Sequence, residues 1–373
     1  MKQSGDSIDC SFSISWTHRL RFTTNAFIGG GVLTDVINEL NPLKLLVVID
    51  NGIVDSNSGI MNSIEQWSST IGSDCGTPIQ VTGGEDAKND CIVVDSVLAA
   101  IDSGNLCRKS AVLVIGGGAV LDAVGYAASI AHRGIQLVRM PSTTLSQCDS
   151  GVGVKNGVNH FNKKNFTGVF NPPFAVINDL SLLETLDDRH WLSGLSEAVK
   201  VSLVKDCEFF ELIESSVREL ADRNLKTMSR IVKQSAILHF RHIVDGNDPF
   251  ERLDARPLDF GHWAAHKLEQ LSNYELTHGE AVSVGIAIDV KCSVLLGLLP
   301  QDIANRIISL LQKLGLPTTH PEMQNPLLFQ GIEEFRQHLG GKLTLLMLKG
   351  IGEPTCIHTL DSEIVRQAID ELL

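Results

Sequence analysis

A buried strand that runs directly into three glycines constrains the fold of this chain more than any other feature. Residues 111–115 (AVLVI) are all apolar, the triplet Gly116–Gly118 follows at once, and an apolar helical pattern covers 119–130. A glycine turn between a parallel strand and a helix lets a pyrophosphate approach the backbone at the helix N-terminus. Leu121 occupies the place of the third glycine in a dinucleotide fingerprint, so a plain strand–helix turn is at this point as good an interpretation as nucleotide binding.

Strands of the same kind recur through the first half of the chain. Residues 45–50 (LLVVID), 135–140 (IQLVRM) and 174–177 (FAVI) alternate with helical segments, which predicts a doubly wound parallel sheet. After the last of these strands the apolar periodicity is helical almost throughout. We therefore predict an α/β domain over residues 1–184 and an all-α domain over residues 185–373.

The charge balance limits the possible partners. The chain has 31 basic and 44 acidic residues, and a net charge of −13 argues against binding to nucleic acid or to an anionic membrane surface. No run of about 18 apolar residues occurs, which argues against a membrane-spanning helix. The eight cysteines are separated singly, without a CxxC pair, and the N-terminus has no apolar signal core. These features favour a reduced protein of the cytoplasm.

One stretch departs from this negative balance. Not one Asp or Glu occurs from Ser150 to Asn178, although the whole chain has 44 acids in 373 residues. The stretch holds Lys155, Lys163 and Lys164 together with several asparagines. Cations and amides without competing carboxylates suit an anionic group, phosphate above all. The alternative is a basic, glycine-rich surface loop without a ligand.

The second half carries the residue types of a metal site. Glu197 and Lys200 lie three residues apart and face one side of a predicted helix, and His262 and His266 are an i,i+4 pair on another. His278 opens a further apolar helix. One glutamate and two histidines are a usual set of ligands for catalytic zinc. Spacing alone nominates His262 with His266, and a buried hydrogen-bonded histidine pair is an equally good interpretation.

Together these residues resemble the dehydroquinate synthase superfamily, the sugar-phosphate cyclases, over about residues 45–355. The resemblance rests on motifs that follow the family order and spacing. They are GGEDAK (83–88), GGGAVLD (116–122), HRG (132–134), PSTTLSQCDSGVGVK (141–155), KKN (163–165), SEAVK (196–200), DFGHWAAH (259–266) and HGEAV (278–282). Within the superfamily the chain is most similar to dehydroquinate-synthase-like proteins of ebo-type gene clusters and to 2-epi-5-epi-valiolone synthases.

The resemblance implies an N-terminal NAD-binding α/β domain, a C-terminal helical metal-binding domain, an active site in the cleft between them, and a homodimer. Zinc, with cobalt as the other possibility, is then bound by Glu197, His262 and His278. The other implied roles are catalysis for Asp149, Lys155, Lys200 and His266, substrate binding for Arg133, Lys164, Asn165, Arg256, Asp259 and Arg336, and NAD binding for Asp50, Glu85, Lys88, Gly117, Gly118, Asp122, Ser142, Thr143 and Thr185.

The implied reaction uses NAD as a recycled oxidant on a seven-carbon sugar phosphate. A hydroxyl is oxidised, phosphate leaves by β-elimination, the hydride is returned, and an aldol step closes a carbocycle. Lys155 and Lys200 add positive charge where oxyanions develop. The acid-free stretch binds the departing phosphate together with Arg133. In relatives, this arginine reaches the phosphate from the neighbouring subunit.

Two departures from dehydroquinate synthase bear on the substrate. Asp259 occupies a position that is usually asparagine, and Phe240 and Arg241 lie where a substrate-binding lysine is expected. Because Asp259 would repel a substrate carboxylate, sedoheptulose 7-phosphate is slightly preferred over the carboxylated substrate of the shikimate pathway. The alternatives are a true 3-dehydroquinate synthase, a metal-dependent alcohol or glycerol dehydrogenase that consumes NAD stoichiometrically, and a non-catalytic scaffold.

Overall fold

The computed structural model describes residues 2–4, 7–161, 163–246, 250, 257–338 and 341–373. Arg256, which the resemblance assigns to substrate binding, lies outside these ranges.

The first half is built around a parallel sheet of seven strands. The strands of this half of the chain also include two separate hairpins, β1–β2 and β9–β10. In chain order the strands are β1 (Lys2–Ser4), β2 (Ser7–Asp9), β3 (Leu20–Thr23), β4 (Lys44–Asp50), β5 (Asp74–Cys75), β6 (Ile79–Val81), β7 (Ala111–Gly116), β8 (Gln136–Pro141), β9 (Lys155–His160), β10 (Lys163–Phe170) and β11 (Ala175–Asp179). The sheet has the order β3–β11–β8–β7–β4–β5, with β6 also paired to β4. The strands predicted from the apolar runs are confirmed as β4, β7, β8 and β11, and the predicted fold class is confirmed with them.

Helices cover both faces of this sheet. They are α1 (Val32–Leu40), α2 (Asn51–Ser56), α3 (Ile60–Ser68), α4 (Ile92–Ser103) and α5 (Gly118–Ile130). Side chains of a strand point alternately to its two faces. In β4, Val47 therefore packs towards α1 and α3, where it shares a core with Ile64, while Val48 packs towards α4 and α5 and shares a core with Val124. Burial on both faces explains why β4 and β7 are continuously apolar.

The second half is helical apart from one hairpin. Its elements are α6 (Asp188–Ser193), α7 (Leu195–Lys205), α8 (Cys207–Ser215), α9 (Val217–Ala221), α10 (Leu225–Asp245), α11 (His262–Leu271), α12 (His278–Leu295), α13 (Gln301–Lys313), α14 (Gln330–His338), β12 (Leu345–Gly350), β13 (Glu353–Ile357) and α15 (Ser362–Asp370). Helical periodicity did not predict the β12–β13 hairpin. A division at residues 184 and 185 stays our proposal.

The central helix of this half is α12, which is buried without interruption from Ala281 to Val290. A helix that is apolar on all sides lies in the interior of a domain. Its start is set by a capping box, in which Thr277 and Glu280 bond each other's backbone N–H groups. Local sequence therefore places His278 in the first turn of the most buried helix.

The acid-free stretch is not a loop, as one interpretation of the sequence held, but the antiparallel hairpin β9–β10 followed by β11. The hairpin packs on α5 at a close contact, because a β-carbon on Gly125 would lie 1.8 Å from Asn156 Oδ1. Its basic residues are thereby held beside the helix that follows the glycine triplet.

Among the helices that the structure describes, none combines the length and the apolar character needed to cross a bilayer.

Candidate active site

The carboxyl edge of the sheet brings together the glycine triplet and the residues after β8. The Ser142 N–H donates to the Gly116 carbonyl at 3.0 Å. A β-carbon on Gly117 would lie 3.4 Å from Thr143, and one on Gly118 would lie 2.5 Å from the Ser150 hydroxyl. The two glycines thus leave the backbone at the start of α5 without side chains of its own, close to Thr143 and Ser150. A bare helix N-terminus is the geometry that admits an anionic group.

Asp50 lies at the same edge, at the end of β4. Its carboxylate accepts the Gly52 N–H at 2.9 Å and caps α2. A β-carbon on Gly83 would lie 2.2 Å from this carboxylate, so any larger residue there would displace the Asp50 side chain. Burial raises the pKa of Asp50 above its ordinary value.

The buried Lys88 and the half-buried Asp122 form an ion pair at this edge, with Lys88 Nζ 2.7 Å from Asp122 Oδ2. Lys88 also donates to the side chain of Asn165, which lies on the hairpin. Glu85 is tied to the hairpin too, since its carboxylate accepts from Asn159 at 2.9 Å. Lys88 and Glu85, which are both predicted to bind NAD, therefore connect the carboxyl edge of the sheet to the β9–β10 hairpin.

Three possible ligand atoms converge in the helical half. Glu197 Oε1 lies 3.7 Å from His262 Nε2 and 3.6 Å from His278 Nε2. Around tetrahedral zinc, with metal–ligand distances of about 2.0–2.1 Å, ligand atoms lie about 3.3–3.4 Å apart. His266 is close by, because the ligand nitrogens of the three histidines all lie within 4.8 Å of one another. The three predicted ligands therefore have nearly the spacing of ligands around one cation.

The hydrogen bonds of His262 and His278 determine which ring nitrogen of each histidine faces Glu197. His262 Nδ1 lies 3.1 Å from the Phe260 carbonyl, and His278 Nδ1 lies 3.0 Å from Glu269 Oε2. Both partners are acceptors, so Nδ1 carries the proton and Nε2 presents a lone pair to Glu197 Oε1. Among the described residues, no donor satisfies that buried oxygen. Burial also lowers the pKa of His262 well below its ordinary value. Facing lone pairs of this kind fit a cation.

Lys200 joins this ligand set to Asp149. Its Nζ lies 2.5 Å from Glu197 Oε2 and 3.0 Å from Asp149 Oδ2, and all three side chains are largely buried. Burial lowers the pKa of Lys200, but the two carboxylates outweigh it and raise that pKa above its ordinary value. Burial likewise raises the pKa of Asp149, yet His239 and Lys200 hold it well below its usual range. A charged ammonium is therefore held beside the ligand set.

Glu269 links His278 to the basic hairpin. Its Oε1 accepts from Lys164 Nζ at 2.6 Å, and Lys164 also lies 3.8 Å from Glu85. Burial would raise the pKa of Glu269, but Lys164 and His278 together lower it. Lys164, which is predicted to bind substrate, thus links strand β10 to a carboxylate of helix α11.

Arg139 holds the beginning of β9 from inside the α/β half. Its guanidinium donates to the Lys155 carbonyl at 2.6 Å, to Asn156 Oδ1 at 2.7 Å and to the Gly153 carbonyl at 3.2 Å. Asp122 lies 3.8 Å from the same guanidinium. The backbone that carries Lys155 is thereby fixed to the sheet.

Three predicted residues lie at the protein surface. The side chains of Lys155 and Arg133 are exposed, and Arg133 lies in a turn with a φ of 65°. Arg336 is on α14, where its guanidinium lies 2.6 Å from Glu333 at the surface. Their assigned roles stay predictions.

Two others belong to turns. Thr185 donates its hydroxyl to the Leu182 carbonyl at 3.1 Å within a 3₁₀ turn. Asp259 is half-buried in another 3₁₀ turn, three residues before His262. Their predicted contacts with NAD and substrate also stay predictions.

Sequence reasoning missed two residues that touch the site. Glu269 follows His262 and His266 at i+7 and i+3, so all three share one face of α11, and this spacing could have revealed it. His239 Nδ1 lies 3.0 Å from Asp149 Oδ1. No local pattern distinguishes His239 within α10, and only the packing of that helix against the turn of Asp149 brings the two together.

The fold and the site together define an enzyme in which a dinucleotide-type α/β unit faces a helical unit with a Glu–His–His ligand set. Comparison with known proteins identifies the family. The model of the 3-dehydroquinate synthase N-terminal domain matches residues 78–193, and that of the C-terminal domain matches residues 194–336. The chain therefore belongs to the 3-dehydroquinate synthase family; it is a sugar-phosphate cyclase, a carbon–oxygen lyase, as the sequence predicted.

Individual relatives carry different names. The 3-dehydroquinate synthase of Thermoanaerobacter sp. (strain X514) is 34% identical over 77% of this chain and 80% of its own length. The 2-epi-5-epi-valiolone synthase of Streptomyces glaucescens is 35% identical over 75% of this chain and 73% of its own length. A solved 2-epi-5-epi-valiolone synthase from Streptomyces hygroscopicus subsp. jinggangensis 5008, with NAD⁺ and Zn²⁺ bound, has a TM-score of 0.88 at 26% identity and covers 98% of this chain and 99% of that one.

Proposed function

We propose that this cyclase converts a seven-carbon sugar phosphate to a carbocycle with loss of inorganic phosphate, and that sedoheptulose 7-phosphate is its preferred substrate. The observation that carries the proposal is the cluster in which two imidazole lone pairs face the buried Glu197 Oε1 beside the ammonium of Lys200. Such a cluster can bind a divalent cation and stabilise charge that develops on oxygen atoms of a substrate.

Glu197, His262 and His278 are the residues that would hold the metal, which is zinc in the solved 2-epi-5-epi-valiolone synthase. The carboxyl edge of the sheet, with Asp50, Gly117 and Gly118, would hold NAD. When bound, NAD accepts and returns a hydride, and the metal polarises hydroxyl oxygens of the sugar. We propose both as the cofactors of this chain.

The chain's own residues supply proton transfer and charge. Asp149 is kept ionised by Lys200 and His239, so it can accept a hydrogen bond from a sugar hydroxyl whose proton is to be removed. Lys200 can donate a hydrogen bond to an oxygen that becomes negative. His266 lies beside the ligand set, with its ring 5.4 Å from that of His262, which suits a role toward substrate.

We assign phosphate binding to the β9–β10 hairpin. Its sequence contains no acids, the side chain of Lys155 is exposed, and Arg139 fixes the backbone of Lys155. We also propose a homodimer in which Arg133 reaches the active site of the neighbouring subunit, because its exposed turn leaves the guanidinium accessible to a second chain.

The substrate preference rests on Asp259. Relatives with nearly equal identity carry the names of both synthases, so similarity does not separate the two activities. A half-buried carboxylate just before the ligand helix disfavours a second carboxylate on the substrate. True 3-dehydroquinate synthase activity is the alternative that these relatives favour.

Phosphate release from purified protein, supplied with NAD and zinc, tests the preference. We expect kcat/KM to be about tenfold or more higher for sedoheptulose 7-phosphate than for the carboxylated substrate of the shikimate pathway, which corresponds to about 1.4 kcal/mol. Asp259→Asn is the matched variant, and we expect it to narrow the ratio by improving turnover of the carboxylated sugar. Release from the carboxylated sugar alone would overturn the preference while leaving the cyclase assignment intact.

A further inference from the structure

The ligand residue His262 begins its helix directly after a glycine in the left-handed conformation. It is the first residue of α11, and Gly261 before it has a φ of 78°, in the left-handed region that favours glycine. The position of the imidazole therefore depends on how the residues on either side of it are held.

One carboxylate from α12 holds both neighbours of His262. Asp289 Oδ2 accepts the backbone N–H of Gly261 at 2.8 Å, and Asp289 Oδ1 accepts the indole N–H of Trp263 at 2.8 Å. Asp289 is only 2% exposed. Burial raises its pKa to about 7, although both N–H donors oppose that rise.

Asp289 also shares its helix with His278. The two residues lie eleven positions apart on α12, which is about three helical turns, so both project from one face. Between them, Gly285 touches the turn before α11, where a β-carbon on Gly285 would lie 2.0 Å from the Gly261 carbonyl oxygen. This close contact fixes the distance between the two ligand-bearing helices and lets Asp289 reach both donors.

We propose that Asp289 is a positioning residue that sets the orientation of His262 in the ligand set, by holding Gly261 and Trp263 against the helix that carries His278. The inference rests on the proposed function, because it concerns the metal that His262 would bind. Asp289 has no direct contact with the ligand atoms and acts through the backbone and the indole on either side of His262.

Cobalt binding to metal-free protein tests this role without relying on turnover. We expect Asp289→Asn, which turns one acceptor into a donor, to weaken Co²⁺ binding roughly 10–100-fold and to change the visible absorption of the bound Co²⁺. Ser293→Ala is the matched control, because Ser293 is buried one turn further along α12. Its hydroxyl donates to the Asp289 backbone carbonyl and accepts the Leu348 N–H, so its loss leaves both contacts of the Asp289 carboxylate in place. Ser293→Ala should keep the Co²⁺ affinity within about twofold of the wild-type value and leave the absorption spectrum unchanged, at a cost in stability similar to that of Asp289→Asn.

The outcomes separate the two proposals. If wild-type protein does not bind Co²⁺ or Zn²⁺ at this site, the proposed function fails and the inference fails with it. If wild type binds and Asp289→Asn gives the same affinity and spectrum, only the positioning role is overturned. If Asp289→Asn does not fold, Trp263→Phe takes its place, since it removes one donor and keeps the carboxylate; a smaller shift in the same direction is expected, and an unchanged spectrum would contradict the proposal.

Discussion

Replacement of His278 by alanine is expected to remove tight metal binding and to lower turnover about 1000-fold or more. The change deletes one of three ligand atoms and leaves Glu269 without the N–H that it accepts. A bound metal contributes several kcal/mol to charge stabilisation, and each 1.36 kcal/mol is tenfold in rate. Metal content after dialysis, together with phosphate release, measures both effects.

His266→Asn is the matched control for this prediction. His266 belongs to the same histidine cluster, but the ligand assignment excludes it. We expect His266→Asn to retain the metal and to lose turnover. If His266→Asn loses the metal while His278→Ala keeps it, the assignment of Glu197, His262 and His278 as the ligands is wrong.

Replacement of Lys200 by methionine is expected to lower kcat about 100- to 10,000-fold, the range for loss of a positioned proton-transfer or charge-stabilising group. It should also destabilise the fold by about 3–5 kcal/mol at neutral pH, because Asp149 and Glu197 stay buried with one cation fewer. The stability deficit should shrink on acidification, since a carboxylate whose pKa the lysine lowered then takes up a proton more readily.

Chemical denaturation across the acidic range, with kcat measured on the folded fraction, checks both parts. Lys205→Met is the matched control, because Lys205 ends the same helix with an exposed side chain. Lys205→Met should keep wild-type kcat and stability. An unchanged kcat in Lys200→Met would remove the lysine from the proposed chemistry.

The sequence predicted the architecture well because its strongest signals are local. The continuous apolar run of β4, the glycines after β7 and the capping box at Thr277 each determine structure within a few residues. The metal ligands were harder to predict, because sequence spacing alone favours His262 together with His266. Only the fold brings Glu197 Oε1 between the Nε2 atoms of His262 and His278, which are 16 residues apart in sequence.

What the sequence did not predict depends on packing between distant elements. His239 contacts Asp149 from a helix 90 residues away, and Asp289 holds Gly261 from another helix. No local sequence pattern around His239, Asp149 or Asp289 indicates these contacts. The basic stretch was identified by its composition, but composition predicted neither its hairpin nor the contact of Asn156 with Gly125 of α5.

The most direct test of the account follows phosphate and NADH together in one reaction of the wild-type protein with sedoheptulose 7-phosphate, NAD and zinc. The proposed cyclase returns each hydride to the substrate. We therefore expect many equivalents of phosphate per enzyme, a carbocyclic product and no net accumulation of NADH. NADH that accumulates in step with turnover, without release of phosphate, would contradict the account and identify a dehydrogenase.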